Sequence, residues 1–237
     1  MDLDALTSIM RSRRSIRSYR ADPVPREAVL RIIEAGRWAP SSANSQPWDI
    51  VVVQDASTKE RIQESVRHCI ARIKERRDFP FLRTFTAGYM LEAPVQLVIC
   101  GDPRFSYVSM MHGVDPDIER WAMWGSVSMA VQNMLLAAHA AGLASVVFTN
   151  FVPEEVKAIL GIPDPLKVVC ILPVGYATEQ RAATVRRPVE EFVHWGTFDA
   201  AKMRPDSLIE VAHRDPYGVQ VLTPGPAEPK RGGKDHR

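Results

Sequence analysis

No two of the 13 glycines in this 237-residue sequence stand in a G-x-G arrangement. A dinucleotide held on a Rossmann-type turn needs that fingerprint, so NAD(P)H is not expected as a resident cofactor. Cysteine is scarce too: Cys69, Cys100 and Cys170 lie far apart, with no C-x-x-C pair and no Cys/His ligand spacing. Neither a disulfide framework nor a zinc site is indicated, and Cys100 and Cys170, at the end of or within apolar β-type runs, read as small hydrophobes. The six histidines show no ligand spacing either; His139, inside an apolar segment, reads as a satisfied core residue. No metal is expected. A formal net charge of only +2 argues against a polycation built for nucleic acid or anionic membranes. The start, Met1-Asp2-Leu3-Asp4, lacks the apolar stretch of a secretory signal, and a cytoplasmic location is expected.

What is present is ordinary for a folded chain: 46% hydrophobic and 24% charged residues, in a length one core can serve. Val29, Ile32, Ile33 and Gly36 recur at helical spacing between Pro25 and Trp38. Ile50 to Val53 is a β-branched strand run, and Ser57 with Glu60 suggests a capping box opening a helix that carries Ile62, Val66, Ile70 and Ile73. Further strands are expected at Val95–Cys100, Ala144–Phe148 and Val168–Val174, and a helix over Pro153–Leu160 stopped by Gly161. Trp121 to Ala141 is apolar almost all round, which calls for burial on several sides, in the core or at a subunit interface. Ser126, Ser128, Gln132, Asn133 and His139 break it up too much for a membrane span. Trp38 and Trp48 read as packing anchors, Phe79 to Tyr89 as a lid or a surface excursion, and Thr223 to Arg237 as an extended or mobile tail.

Two segments are dense in polar chemistry. Arg11 to Arg20 holds five arginines and three serines in ten residues. On its own it allows three readings: a phosphate site built on guanidinium forks and hydroxyls, a nucleic-acid or targeting patch, or a solvated charged loop. The second, Pro40-Ser41-Ser42-Ala43-Asn44-Ser45-Gln46-Pro47-Trp48, is rich in hydrogen-bonding groups and stiffened by two prolines.

Together, Arg13-Arg14-Ser15-Ile16-Arg17-Ser18-Tyr19 and Ala39 to Trp48 resemble the nitroreductase-like flavoprotein family, with motifs R-R-S-x-R-x-[FY] and A-P-S-x-x-N-x-Q-P-W in that order. The resemblance continues through Ala93-Pro94-Val95, Gln132 to Ala138, Gly142-Leu143, Pro173 to Tyr176 and Arg186-Arg187-Pro188, covering roughly residues 6 to 196. It implies an α+β fold: a nitroreductase-like mixed central sheet flanked by helices, with a long buried central helix, in a domain-sharing homodimer with FMN between subunits. Residues 1–197 would form the FMN-binding domain and 198–237 a C-terminal extension. By motif match, Arg13, Arg14, Ser15 and Arg17 would hold the FMN phosphate and ribityl region, and Arg186 or Arg187 would close around the phosphate. Pro40, Ser41, Ser42, Asn44 and Gln46 would line the flavin from the partner subunit. Val147, Phe148 and Thr149 would pass the ring by their backbone, with Gly175 nearby. A resident flavin also accounts for the lack of a catalytic triad or carboxylate pair, because the redox chemistry is the cofactor's. NAD(P)H would visit as electron donor, and a nitroaromatic or quinone would follow as acceptor. Reductive dehalogenation, enone reduction, dehydrogenation, benzimidazole synthesis and flavin binding without turnover stand as alternatives. The Ser41-Ser42-Ala43-Asn44 version is more similar to general nitro/quinone reductases than to benzimidazole synthases. Ala177 stands where the family often has proline, and the Gly101 to Arg120 loop matches no subgroup pattern.

Overall fold

A computed structural model describes residues 2–75, 86–108, 112–184 and 186–204. The chain divides into two compact units, Met1–Ile73 with Thr86–Ala182, and Lys74–Phe85 with Ala183–Arg237. Most of the lid expected at Phe79 to Tyr89, and the tail expected from Thr223, lie outside the described residues.

The first unit runs α1 (Leu3–Ser12), α2 (Arg26–Arg37), β1 (Trp48–Val53), α3 (Ala56–Lys74, its last residue across the division), α4 (Tyr89–Glu92), β2 (Val95–Gly101), α5 (Pro116–Ala140), β3 (Ala144–Ser145), α6 (Pro153–Leu160) and β4 (Lys167–Gly175). The strands form one sheet in the order β1-β2-β4-β3, every named pair antiparallel. The four strands are thus antiparallel where a mixed sheet is expected; the parallel pairing is an isolated bridge outside the named strands, between Ser15 and Ser145, which lays the arginine-rich segment along the β3 edge. All seven residues of β2 are buried, so its continuous apolar run reflects a strand covered on both faces. The strand expected over Ala144–Phe148 is only two residues long. The chain leaves the ladder at Val146 and Val147 and returns with a single bridge from Phe148 to Ile171.

Local capping chemistry explains where helices begin and end. The Ser57–Glu60 capping box is not what opens α3: the Asp55 carboxylate accepts from the Thr58 N–H and the Ser57 hydroxyl, both at 2.7 Å, because a carboxylate is the stronger acceptor for an exposed amide. Helix α6 stops at Gly161, which takes the left-handed conformation (φ 66°) at no β-carbon cost. Helix α5 starts five residues before the expected Trp121, since Asp115 accepts from the amides of Asp117 and Ile118 and Pro116 fits the first turn.

The core lies between α5, α2 and the sheet, with Ile32, Leu97, Val127, Met134 and Leu172 all at most 1% exposed. Gly36 lets α2 approach closely, as a β-carbon there would meet Met134 Cγ at 2.8 Å. Within the chain α5 buries Ala122, Met123, Val127 and Met134, whereas Trp121 is 64% and Trp124 42% exposed. One expectation about tryptophan needs correction. Trp38 is not a packing anchor: it is exposed, its indole N–H donates to Glu34 at 2.9 Å, and Arg37 lies over its ring. Trp48 does pack against the core. Cys100 and Cys170 are buried in adjacent strands, and burial pushes their thiols up to about 11 and about 12, as expected of cysteines acting as hydrophobes. No described helix is long and apolar enough to cross a membrane.

In the second unit, short 3-10 turns at Val189–Glu191 and Ala200–Lys202 are joined by Lys202, which donates to the Val193 carbonyl at 2.9 Å.

Candidate functional site

The arginine-rich segment begins where α1 ends. Arg13 is the C-terminal cap of α1, its N–H donating to the Ile9 carbonyl. From there the chain is stitched to the sheet edge: the Ile16 N–H donates to the Ser145 carbonyl, Arg20 N–H to that of Tyr176, and the hydroxyls of Ser18 and Thr178 are hydrogen-bonded. Tyr19 is the anchor. Its ring is buried and its hydroxyl donates to the Ile16 carbonyl at 2.7 Å; burial, with the Tyr89 hydroxyl next, raises its pKa far above the usual range, so it stays a neutral donor.

Between this segment, the C-terminal end of α5 and the irregular chain that follows β4 lies a cavity of about 360 Å³. Its polar wall is Ser12, Arg13, Arg14, His139, Glu179 and Arg181, and its apolar wall includes Ile16, Leu135, Leu143 and Ala144. Arg14 is held by backbone carbonyls, Nη1 donating to Arg11 and Arg13 at 2.6 and 2.7 Å and Nε to Ala182 at 3.1 Å. Its charge is thereby fixed in place, and none of the described carboxylates is paired with it. Glu179, the cavity's carboxylate, is paired with Arg181 at 2.7 Å. Ser145 borders the same cavity, and its buried hydroxyl has no hydrogen-bond partner among the described residues. Buried polar groups without partners are rare in folded proteins, and one beside a basic cavity suits a polar ligand. The donor set is that of an anion site: fixed guanidinium charge, hydroxyls and little acid.

Of the residues expected from sequence, the structure brings Arg13 and Arg14 to this cavity and puts Ser15 on the bridge beside it. Arg17 is half-buried, and its charge acts on the Tyr19 hydroxyl. The second segment does not line the cavity. Pro40 is exposed, and Ser41 to Gln46 form a tight, strained turn in which Ala43, Asn44 and Gln46 have φ of 50°, 53° and 47°. Ser126 of α5 accepts from the Ser42 N–H at 3.1 Å, Ser41 accepts from the Gln46 N–H at 3.0 Å, and Asn44 and Gln46 point polar groups to the surface. Three non-glycine residues in the left-handed region within four positions are costly, and such strain clusters at functional sites. The buried Ser45 hydroxyl in this turn also lacks a partner among the described residues. Val147 and Thr149 are exposed, whereas the Phe148 ring is buried edge-on against Tyr89 at 5.9 Å. Gly175 is wedged between Pro94 and Tyr19. Arg186 and Arg187 belong to the second unit, where Arg186 donates to Thr184, and Arg187 donates to the Glu191 carbonyl at 2.8 Å and lies over the Phe192 ring.

Sequence reasoning missed His139, Ser12, Ser145 and Arg181. His139 is half-buried at the cavity wall, its Nε2 2.7 Å from Ser12 Oγ, which is not the place of a core histidine. Burial, and then the Arg13 and Arg14 charges, hold its pKa below the usual value. The available signal was its position in the last turn of a helix that ends beside the arginine motif, and it was too weak to use alone.

Comparison with known proteins gives a consistent picture. Residues 10–176 match the model of the nitroreductase family. An NADH dehydrogenase of Thermus thermophilus is 32% identical, over 81% of this chain and 96% of its own length. A 5,6-dimethylbenzimidazole synthase of Rhodospirillum rubrum is 31% identical, over 75% of this chain and 84% of its own. Among solved structures, an oxidized iodotyrosine deiodinase bound to FMN and 3-iodo-L-tyrosine superimposes with a TM-score of 0.68 at 26% identity, covering 81% of this chain and 100% of that one.

Proposed function

Because this chain belongs to the nitroreductase family, we propose that it is an FMN-dependent oxidoreductase that passes reducing equivalents from NAD(P)H to a small organic acceptor such as a nitroaromatic or quinone. The observation that supports this most is the cavity between Arg13, Arg14 and the end of α5, with fixed positive charge and the unpartnered Ser145 hydroxyl at its border. Its volume of about 360 Å³ is in the range of small-molecule sites. Bound FMN would supply the two-electron redox chemistry, taking hydride from the donor and giving it to the acceptor.

The residues have separable tasks. Arg13, Arg14 and Arg17, with Ser15, would bind the phosphate and ribityl end, Arg14 as a charge already oriented by three carbonyls. A second copy would bring its Pro40 to Gln46 turn to the ring, with Ser41, Ser42, Asn44 and Gln46 as polar contacts. Dimerisation is supported by Trp121 and Trp124, large apolar side chains left exposed on α5 beside the helix residue, Ser126, that holds this turn. Val147 and Thr149 would face the flavin while Phe148 anchors their backbone.

The test is direct. The purified protein should show visible flavin absorbance that bleaches anaerobically with NADH or NADPH. Steady-state rates with several acceptors should give parallel double-reciprocal lines, since donor and acceptor would use one site in turn. A colourless protein that binds no added FMN overturns the cofactor. Intersecting lines with every acceptor overturn the alternating use of one site. Relatives named for deiodination and for benzimidazole synthesis make halogenated phenols and reduced flavin under oxygen the first alternative substrates to try.

A further inference from the structure

We infer that His139 is a phosphate-binding residue of this cavity, acting with Ser12, Arg13 and Arg14, and that it takes up one proton from solvent as a phosphomonoester dianion enters. The inference rests on the FMN reading above and adds a residue and a proton to it.

The geometry starts with Ser12, which ends α1, and His139, in the last turn of α5, at 2.7 Å. Ser12 Oγ is also 3.2 Å from the Ile9 carbonyl. A hydroxyl has one proton to donate, and with a neutral imidazole the pair can share that proton in two ways. Once the imidazole is protonated, only one arrangement remains. Nε2–H must donate to Ser12 Oγ, and the Ser12 proton is then free to turn from the Ile9 carbonyl to a ligand oxygen. Protonation therefore converts an internally satisfied pair into a cationic donor relay at the cavity wall.

The electrostatics favour this only when an anion is present. The charged groups that share the cavity with His139 are Arg13 and Arg14 beyond α1 and the Glu179–Arg181 pair beyond β4, while Asp4 and Arg11 of α1 border a neighbouring hollow that shares Ser12. Burial and the two nearby arginines oppose protonation of the empty site. The helix C-terminus, where partial negative charge accumulates, opposes them weakly. A dianion placed against Arg13 and Arg14 reverses the sign of the local field, and the imidazolium becomes a favourable partner. By linkage, the ligand then binds more tightly where the proton is available.

Calorimetric titration of FMN into the flavin-stripped protein at pH 7.5, in two buffers of different ionisation enthalpy, counts the protons directly; FMN is then mostly dianionic because its second phosphate pKa is about 6. Wild type should take up between about 0.3 and 1 proton per FMN, and its FMN affinity should weaken by roughly 3- to 40-fold from pH 6.5 to pH 8.5, the larger loss going with the larger uptake. The His139→Gln variant should take up close to none and show a flatter profile, and riboflavin, which has no phosphate, should show neither effect with either protein. The wild-type proton count needs no variant, so it stands if H139Q folds poorly. FMN binding with no proton uptake overturns the role of His139 and leaves the flavin reading intact, as does equal uptake by wild type and a folded H139Q. Absence of FMN binding overturns both.

Discussion

A β-carbon built on Gly175 would stand 2.7 Å from Cδ of Pro94, with Tyr19 Cδ1 at 3.1 Å on its other side. The last residue of β4 thus fits between the residue that precedes β2 and the anchor of the arginine-rich segment. Replacement by alanine forces the proline ring or the tyrosine to shift, and overpacking of this kind costs about 1–3 kcal/mol. Gly175→Ala should lower the melting temperature and, by moving Tyr19, weaken FMN binding as well. An unchanged melting curve would mean that this contact relaxes freely.

Arg14 should matter through charge and orientation together. Arg14→Ala or Arg17→Ala should weaken FMN binding by roughly 10- to 200-fold, the loss of a charge-assisted hydrogen bond of about 1.5–3 kcal/mol. Lysine at position 14 should restore only part, because it keeps the charge but loses the planar fork that the three carbonyls orient. Saturating FMN should recover most of the turnover. Arg26, exposed at the start of α2, is the control, and alanine there should change FMN affinity by less than about twofold. Equal losses at all three would indicate a diffuse field rather than a phosphate grip.

Ser145 separates ligand binding from folding. Among the described residues its buried hydroxyl has no partner, and relieving an unsatisfied polar group is worth about 1–3 kcal/mol. Ser145→Ala should therefore leave the flavin-free protein as stable as wild type or more so, and bind FMN less tightly. Denaturation and FMN titration of one variant check both halves; a loss of apoprotein stability would contradict the first.

The turn at Ala43 carries backbone strain. Ala43 sits at φ 50°, a conformation that costs an L-residue about 1–2 kcal/mol and glycine almost nothing. Offset by the greater freedom of an unfolded glycine, Ala43→Gly should raise stability by up to about 1 kcal/mol, near 2–4 °C in melting temperature for a chain of this size. If the turn presents polar groups to a flavin across a subunit boundary, the same change should loosen it and lower the rate with acceptors. Faster turnover would contradict that use of the strain.

The depressed pKa of His139 also has a consequence for the flavin-free protein. The unfolded chain holds its proton to a higher pH than the folded one, so the folded state loses stability as pH falls through the ordinary histidine range near 6.5 toward the lower folded value. Melting temperatures of apoprotein should fall more steeply from pH 7 to pH 5.5 in wild type than in His139→Gln. Added FMN should reduce that difference, because the bound phosphate lifts the folded pKa again.

Much of this molecule was decided locally and is legible in the sequence. The glycine stop of α6, the buried run of β2, the α2 face and the two polar segments depend on periodicity, capping chemistry and residue type acting over a few positions. Even there, the stronger acceptor prevailed where two were in reach, as Asp55 did over Ser57. Only the tertiary structure decided which side chains share a cavity. Ser12 and His139 are 127 residues apart, and they meet because the sheet order β1-β2-β4-β3 puts the end of α5 and the edge strand β3 beside the segment that leaves α1. The same placement made His139 a wall residue instead of a core one, left the Ser145 hydroxyl buried without a partner, and exposed Trp121 and Trp124 on a helix whose composition calls for burial. Composition states that an apolar or polar group needs a partner; which remote segment supplies it is a property of packing, and no local pattern encodes that.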